Sequence, residues 1–131
     1  MVRRISKTFT EVELEFMNII WEHSEVSSLD IQNILKESGR WLSDGAIRKI
    51  LSILMDKGHL ARRRVGRTFY YKAVEQKDQA HKKMVKDLLK RGFGGSASQM
   101  VSALLNTNEI NKGDLEEIKR LIKKREKEGL K

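Results

Sequence analysis

The sequence contains no cysteine. That excludes disulfides, thiolate zinc sites, iron–sulfur clusters and thiol catalysis together. It contains no proline either, so nothing interrupts a helix between its caps. No run approaches the ~18 apolar residues that span a bilayer. The opening residues, MVRRISKTFT, are basic but lead into no acid-free apolar stretch. No signal peptide is expected, and a cytoplasmic location is. His23, His59 and His81 stand apart from one another. There is no HExxH, no glycine-rich phosphate loop and no Ser-His-Asp set. An enzyme, a metal site and a bound cofactor are therefore not expected.

What is present is a short, basic, charge-rich chain. Its 131 residues suit one ordinary domain, or a small domain with an appendage. With 39% hydrophobic and 34% charged residues it can fold and stay soluble. Lys and Arg number 27 against 18 Asp and Glu, a formal net charge of +9. The signs are sorted. Residues 11–30 hold Glu11, Glu13, Glu15, Glu22, Glu25 and Asp30 and no Lys or Arg. Residues 57–72 hold Lys57, Arg62, Arg63, Arg64, Arg67 and Lys72 and no acid. A sorted basic block is the footprint of a polyanion site, although many charge runs are only solvated faces. The acidic stretch is expected to face away from such a partner. No basic amphipathic segment has the bulky aromatic face of a membrane binder, so membrane insertion is not expected.

The apolar periodicity divides the chain. Thr10 and Glu13 form a capping box for a helix reaching about His23, with Leu14, Met17 and Trp21 on one face and Phe16, Ile19 and Ile20 widening it. Ser27 to Asp30 opens a second, short helix whose apolar positions are Leu29, Ile31, Ile34 and Leu35, ending before Gly39. Ser43 caps a third, where Ile47, Ile50, Leu51, Leu54 and Met55 make a buried stripe that Gly58 ends. The period then changes. Residues His59 to Arg64 and Arg67 to Ala73 flank Val65-Gly66 and read as a β-hairpin. Phe69 and Tyr71 share the face expected to be core.

Helix, helix, helix, hairpin is the order of a winged helix-turn-helix. The fold class is mainly α with a small β-hairpin. Residues 1–74 form the winged DNA-binding domain and 75–131 a helical dimerisation domain. In the second part a helix over about Asp78–Lys90 is expected to bury His81, Met84, Val85 and Leu88. A glycine corner around Phe93 follows, reading as a hinge because no strand precedes it. A helix over Ala97–Leu105 and another after an Asn111 cap complete the chain. Met84, Leu88, Met100, Val101, Leu104, Leu105, Leu115, Ile118, Leu121 and Ile122 form stripes too short to make a core alone, and are assigned to a homodimer interface. Folding back onto the first domain is the other way to cover them.

A recognition helix buries one face and offers the other to the major groove. The outward candidates here are Ser43, Asp44, Gly45, Arg48, Lys49, Ser52 and Ile53. Arg48 is the candidate for guanine, since a guanidinium forks onto its O6 and N7. Lys49 would do the same or hold a phosphate. Asp44 would accept from cytosine N4 or favour the helix N-terminus. Gly45, costly in a first turn, would let backbone approach DNA closely. In the hairpin Arg62, Arg64 and Arg67 are the DNA-contact candidates, Arg64 and Arg67 flanking the turn as wing-tip contacts to phosphate or minor groove. Trp41 is either core or a phosphate contact through its indole N–H.

Several segments together resemble the BlaI/MecI family of winged-helix repressors, the penicillinase and methicillin-resistance repressors. They are Thr10-Glu11 through Met17 and Trp21, the region of Trp41, Leu51 through Lys57-Gly58, Gly66 through Tyr71, Phe93 to Ser96, and Asp114 to Ile118. The resemblance implies a homodimer on the double-stranded DNA of a palindromic operator, with antibiotic resistance genes among the targets. It also implies a membrane-bound sensor protease as a partner, with cleavage in the dimerisation region. The chain departs from the pattern at Gly45-Ala46, Lys49 and Ile53, where family members often carry a Thr-Thr pair, a Thr and an Arg respectively, so no operator sequence carries over. The Asn-Phe bond cleaved in the resistance repressors falls at about Ala103-Leu104. The cysteine pairs of copper-responsive relatives are missing. A regulator with a small ligand near Met84, Phe93 and Met100, and a winged helix used for protein contacts or RNA, are the other readings.

Overall fold

The computed structural model describes residues 9–129. Three helices come first, interrupted by one short strand: α1 (Glu11–His23), β1 (Glu25–Ser27), α2 (Ser28–Glu37) and α3 (Asp44–Asp56). The hairpin β2 (Leu60–Val65) and β3 (Thr68–Ala73) follows, then α4 (Lys77–Phe93), α5 (Ala97–Leu105) and α6 (Lys112–Lys127). The chain divides into two compact units between Val85 and Lys86.

The helix starts are set by side chains that satisfy orphan amides. Thr10 with Glu13, Ser27 with Asp30 and Asn111 with Asp114 are full capping boxes. The Ser43 hydroxyl accepts from the Ala46 amide at 3.1 Å and starts α3. Each helix of the first unit then turns its stripe inward. Phe16, Met17 and Ile20 of α1, Ile31 and Leu35 of α2, and Ile47, Leu51 and Leu54 of α3 are buried together with Val26, Leu60 and Tyr71. The i, i+3, i+4 spacing puts these groups on one side of each helix.

An ion pair inside this unit fixes α3 to α1. Glu13 is buried, and Lys57 Nζ donates to its two carboxylate oxygens at 2.8 and 2.9 Å. Burial pushes the Glu13 carboxyl up. The hydrogen bonds from Lys57 and from the Thr10 amide, with the Lys57 charge, outweigh it and hold the group below its ordinary value.

The sheet differs from the expected hairpin in two ways. β1 adds a third strand, antiparallel to β3, so the order is β1-β3-β2. The turn also sits one residue later than expected. Val65 pairs with Thr68, which leaves Gly66-Arg67 as the two-residue turn. Gly66 has φ 63° and Arg67 is not left-handed, the pattern of a type II′ turn with glycine first. Arg67 is thus at the tip rather than in the strand.

Other expectations change with packing. Leu29 lies on the outer side of α2 and is 60% exposed, so it is not part of that helix's core stripe. Trp41 is 67% exposed, which rules out its core reading. In α4 the buried residue is Ala80, whereas His81, Val85 and Leu88 are exposed and Met84 is half-buried. His81 instead meets the edge of Trp21, ring centroids 5.9 Å apart, and the Trp21 indole donates to the Glu75 carbonyl at 3.1 Å. The glycine corner is a helix stop. α4 continues through Gly92 and Phe93, then Gly94 and Gly95 turn left-handed and the Gly95 amide donates to the Leu89 carbonyl.

In the second unit α5 and α6 contain no buried residue. Val101, Leu104, Leu105, Leu115, Leu121 and Ile122 are each at least 39% exposed, and Met100 and Ile118 are half-buried.

Candidate nucleic-acid interface

The outward face of α3 and the hairpin enclose a groove of about 500 Å³. α3 supplies Asp44, Arg48 and Ser52, the hairpin supplies Arg62 and Arg67 with aromatic residues, and the start of α2 supplies the opposite wall. Five of the nine predicted contact residues therefore converge. Ser43, Gly45, Lys49 and Arg64 lie outside the groove lining but are exposed.

Strand register decides which arginines face it. Residues directly opposite in an antiparallel pair share a face. Arg62 lies opposite Tyr71 and Arg64 opposite Phe69. Accordingly the Arg62 guanidinium sits 4.0 Å over the Phe69 ring, a contact that holds the cation in place by attraction to the ring face. Phe69 is half-buried against the core and Tyr71 is buried. Arg64 Nε donates to the Gly66 carbonyl at 2.8 Å, which folds its side chain back on the turn. Arg63, opposite Tyr70, points to the other face. There it makes two bonds to Glu25, at 2.8 and 2.7 Å. Those bonds hold the Glu25 carboxyl below its ordinary value and raise Arg63 above its own.

On α3 the N-terminal turn presents Asp44, Gly45 and Arg48. The Asp44 carboxylate takes the Arg48 Nε at 2.9 Å, one turn along. A Cβ built on Gly45 would meet nothing within 4 Å. Behind the helix His59 is buried at its junction with the hairpin, under Phe9 with ring centroids 4.3 Å apart. Its Nε2 has no hydrogen-bond partner, and burial, then the Lys57 charge, lowers its pKa. That imidazole is a structural group, not part of the groove.

The start of α2 was not anticipated as part of this surface. Ser27, Ser28, Leu29 and Asp30 line the groove across from the hairpin. The one sequence signal was Leu29, an apolar residue beside a cap. Among the described residues, no His, Cys, Asp or Glu group is arranged to hold a metal ion. No described helix is long and apolar enough to cross a membrane.

Three core helices, a hairpin after the third, and cations gathered around the outward face of that third helix define a winged helix-turn-helix protein. The penicillinase repressor family model matches residues 9–124. The chain belongs to the penicillinase repressor family. It is 28% identical to the penicillinase repressor of Bacillus licheniformis over 91% of this chain and 94% of that one. It is 27% identical to the methicillin resistance regulatory protein MecI of Staphylococcus aureus, over 92% and 98%. The solution structure of the DNA-binding domain of the repressor BlaI superposes with a TM-score of 0.50 and 29% identity, covering 58% of this chain and 90% of that one.

Proposed function

We propose that this protein is a homodimeric repressor that occupies a palindromic DNA operator, α3 entering the major groove and the β2–β3 wing lying along the backbone. The carrying observation is the convergence of Arg48 and Ser52 on α3 with Arg62 and Arg67 of the hairpin around one groove. In this reading Arg48 and Lys49 reach base edges or nearby phosphates, and Ser43 and Ser52 supply hydroxyls. Arg62, Arg64 and Arg67 neutralise phosphate, and Gly45 lets the helix start lie close to the duplex. The named relatives, repressors of penicillinase and methicillin resistance, support it.

The homodimer is supported by the exposed apolar residues of α5 and α6, with Met84, Leu88, Met100, Val101, Leu104, Leu105, Leu115, Ile118, Leu121 and Ile122 as its contacts. Relief of repression by a sensor protease is part of the same proposal. The Ala103-Leu104 bond lies within α5, so cleavage there requires the last turn of that helix to open.

The test is duplex binding across a salt series. Each phosphate neutralised contributes about 0.9 to the slope of log K against log salt. Replacing Arg64 and Arg67 with alanine is expected to weaken all duplexes and to lower that slope by ~1–2. An unchanged slope removes the wing from the interface.

A further inference from the structure

Arg48 and Asp44 are the charged residues that α3 contributes to the groove, and they are joined to each other. The Arg48 Nε donates to Asp44 Oδ2 at 2.9 Å. Both side chains stay more than half exposed, at 68% and 58%, so neither is consumed by packing. A guanidinium has five N–H donors in a planar fork. With Nε taken by the aspartate, the two terminal nitrogens remain, and those form the end-on fork that meets guanine O6 and N7. The aspartate spends one oxygen on Arg48, leaving the other as an acceptor beside the fork. Two base edges offer a donor in the major groove, cytosine through N4 and adenine through N6; adenine sets its N7 acceptor beside that donor, which a carboxylate repels, so the free oxygen fits cytosine N4 better.

We infer that Asp44 and Arg48 act as one reading unit, Asp44 holding the Arg48 fork for guanine while accepting from a neighbouring cytosine N4. Asp44 is thus both a positioning and a specificity-determining residue. The inference rests on the DNA-binding reading above and adds the base chemistry of one operator position and its neighbour. Three features of the groove favour it over a phosphate contact by Arg48. A carboxylate beside a phosphate is repelled by it, so the couple is better placed on base edges. Arg62 and Arg67 already supply free cations at the hairpin side. Arg62 is held on the hairpin by the Phe69 ring, 4.0 Å from its centroid.

The experiment is selection of bound duplexes from a random pool by the full-length protein, followed by affinities on the selected site. The parent protein is expected to select guanine at one position per half-site, with cytosine on either strand at the adjoining pair. Replacing that guanine by 7-deazaguanine, which lacks the N7 acceptor, is expected to weaken binding at least tenfold. Asp44→Asn keeps shape and removes charge. It is expected to retain general duplex binding, to lose the adjoining cytosine preference, and to weaken discrimination at the guanine about tenfold. Arg48→Ala is expected to lose the guanine preference entirely. If Asp44→Asn leaves the selected sequence unchanged, Asp44 only complements the helix N-terminus and the inference falls, while the DNA-binding reading stands. If the parent protein selects no sequence at all, both fall.

Discussion

Lys57→Met tests whether the buried ion pair holds the recognition helix in place. Glu13 is 5% exposed, and both of its oxygens accept from Lys57, one of them also from the Thr10 amide. Methionine keeps the apolar stem of lysine and removes the charge. The carboxylate is then buried with a single amide for a partner. Breaking a fully buried pair costs about 3–5 kcal/mol. Lys57 is 30% exposed along its side chain, so water replaces part of what is lost, and ~2–3 kcal/mol is the expected cost. For a unit of this size each kcal/mol moves the melting temperature by ~4–8 °C. A fall of ~10–20 °C is therefore expected.

The assay is thermal and urea denaturation of the parent, Lys57→Met, Glu13→Gln and the double variant. The coupling energy of that cycle is expected above ~1 kcal/mol, because neither single change creates a compensated site. The pH dependence has a fixed sign. The Glu13 carboxyl is held below its ordinary value of 4.5, so the pair's contribution is complete above that pH and is lost as pH falls through the lowered value. The gap between parent and Lys57→Met narrows there. Carrying His59→Gln in both proteins removes the other titrating group of the cluster. A coupling below ~0.5 kcal/mol, the worth of an exposed pair, would refute the reasoning, as would a gap that does not narrow in acid.

Three further outcomes follow from single positions. Gly45→Ala has open space for its methyl group and is expected to stabilise the protein by up to ~1 kcal/mol while weakening duplex binding; a variant that gains stability and binds as tightly shows that DNA does not approach that backbone. Ser24 links α1 to β1 with φ 67° and ψ −58°, so Ser24→Gly should raise stability by ~1 kcal/mol, and an unchanged urea midpoint would contradict the strain. The parent protein is expected to sediment as a dimer and Leu121→Asp as a single 15.2 kDa chain; a monomeric parent at micromolar concentration overturns the α5–α6 interface.

What was legible in the sequence was what neighbours in the chain decide. Capping boxes at Thr10, Ser27 and Asn111 need residues three apart, and the stripe from Ile47 to Leu54 needs one helix. What was not legible depends on distant pairing. β1 is three residues long, too short to display a period of two, and it exists because β3 offers an edge. The turn shifted from Val65-Gly66 to Gly66-Arg67 because register, not glycine, sets which residue closes the ladder. Trp41 reads from sequence as either core or a phosphate contact, and no element covers it. The groove gathers residues 27–30, Asp44, Arg48 and Ser52 of α3, and Arg62 with residues 67–71 of the hairpin, and no local period announces that convergence.

The sorted charge takes on a different meaning in the fold. By sequence the acidic stretch 11–30 was a region to be kept from a polyanion. In space its acids choose which cations remain available to one. Glu13 takes Lys57, Glu15 takes Arg40 and Glu25 takes Arg63. Among the described residues Arg62, Arg64 and Arg67 have no carboxylate within ion-pair distance, and Arg48 has one only from its own helix, inside the groove. A net charge of +9 spread evenly would attract DNA without orienting it. These pairs neutralise Lys57, Arg40 and Arg63, none of which lines the groove, and so reduce the positive charge away from it. On the DNA-binding reading proposed above, the acids thereby weight the attraction toward the groove that holds the Asp44–Arg48 pair.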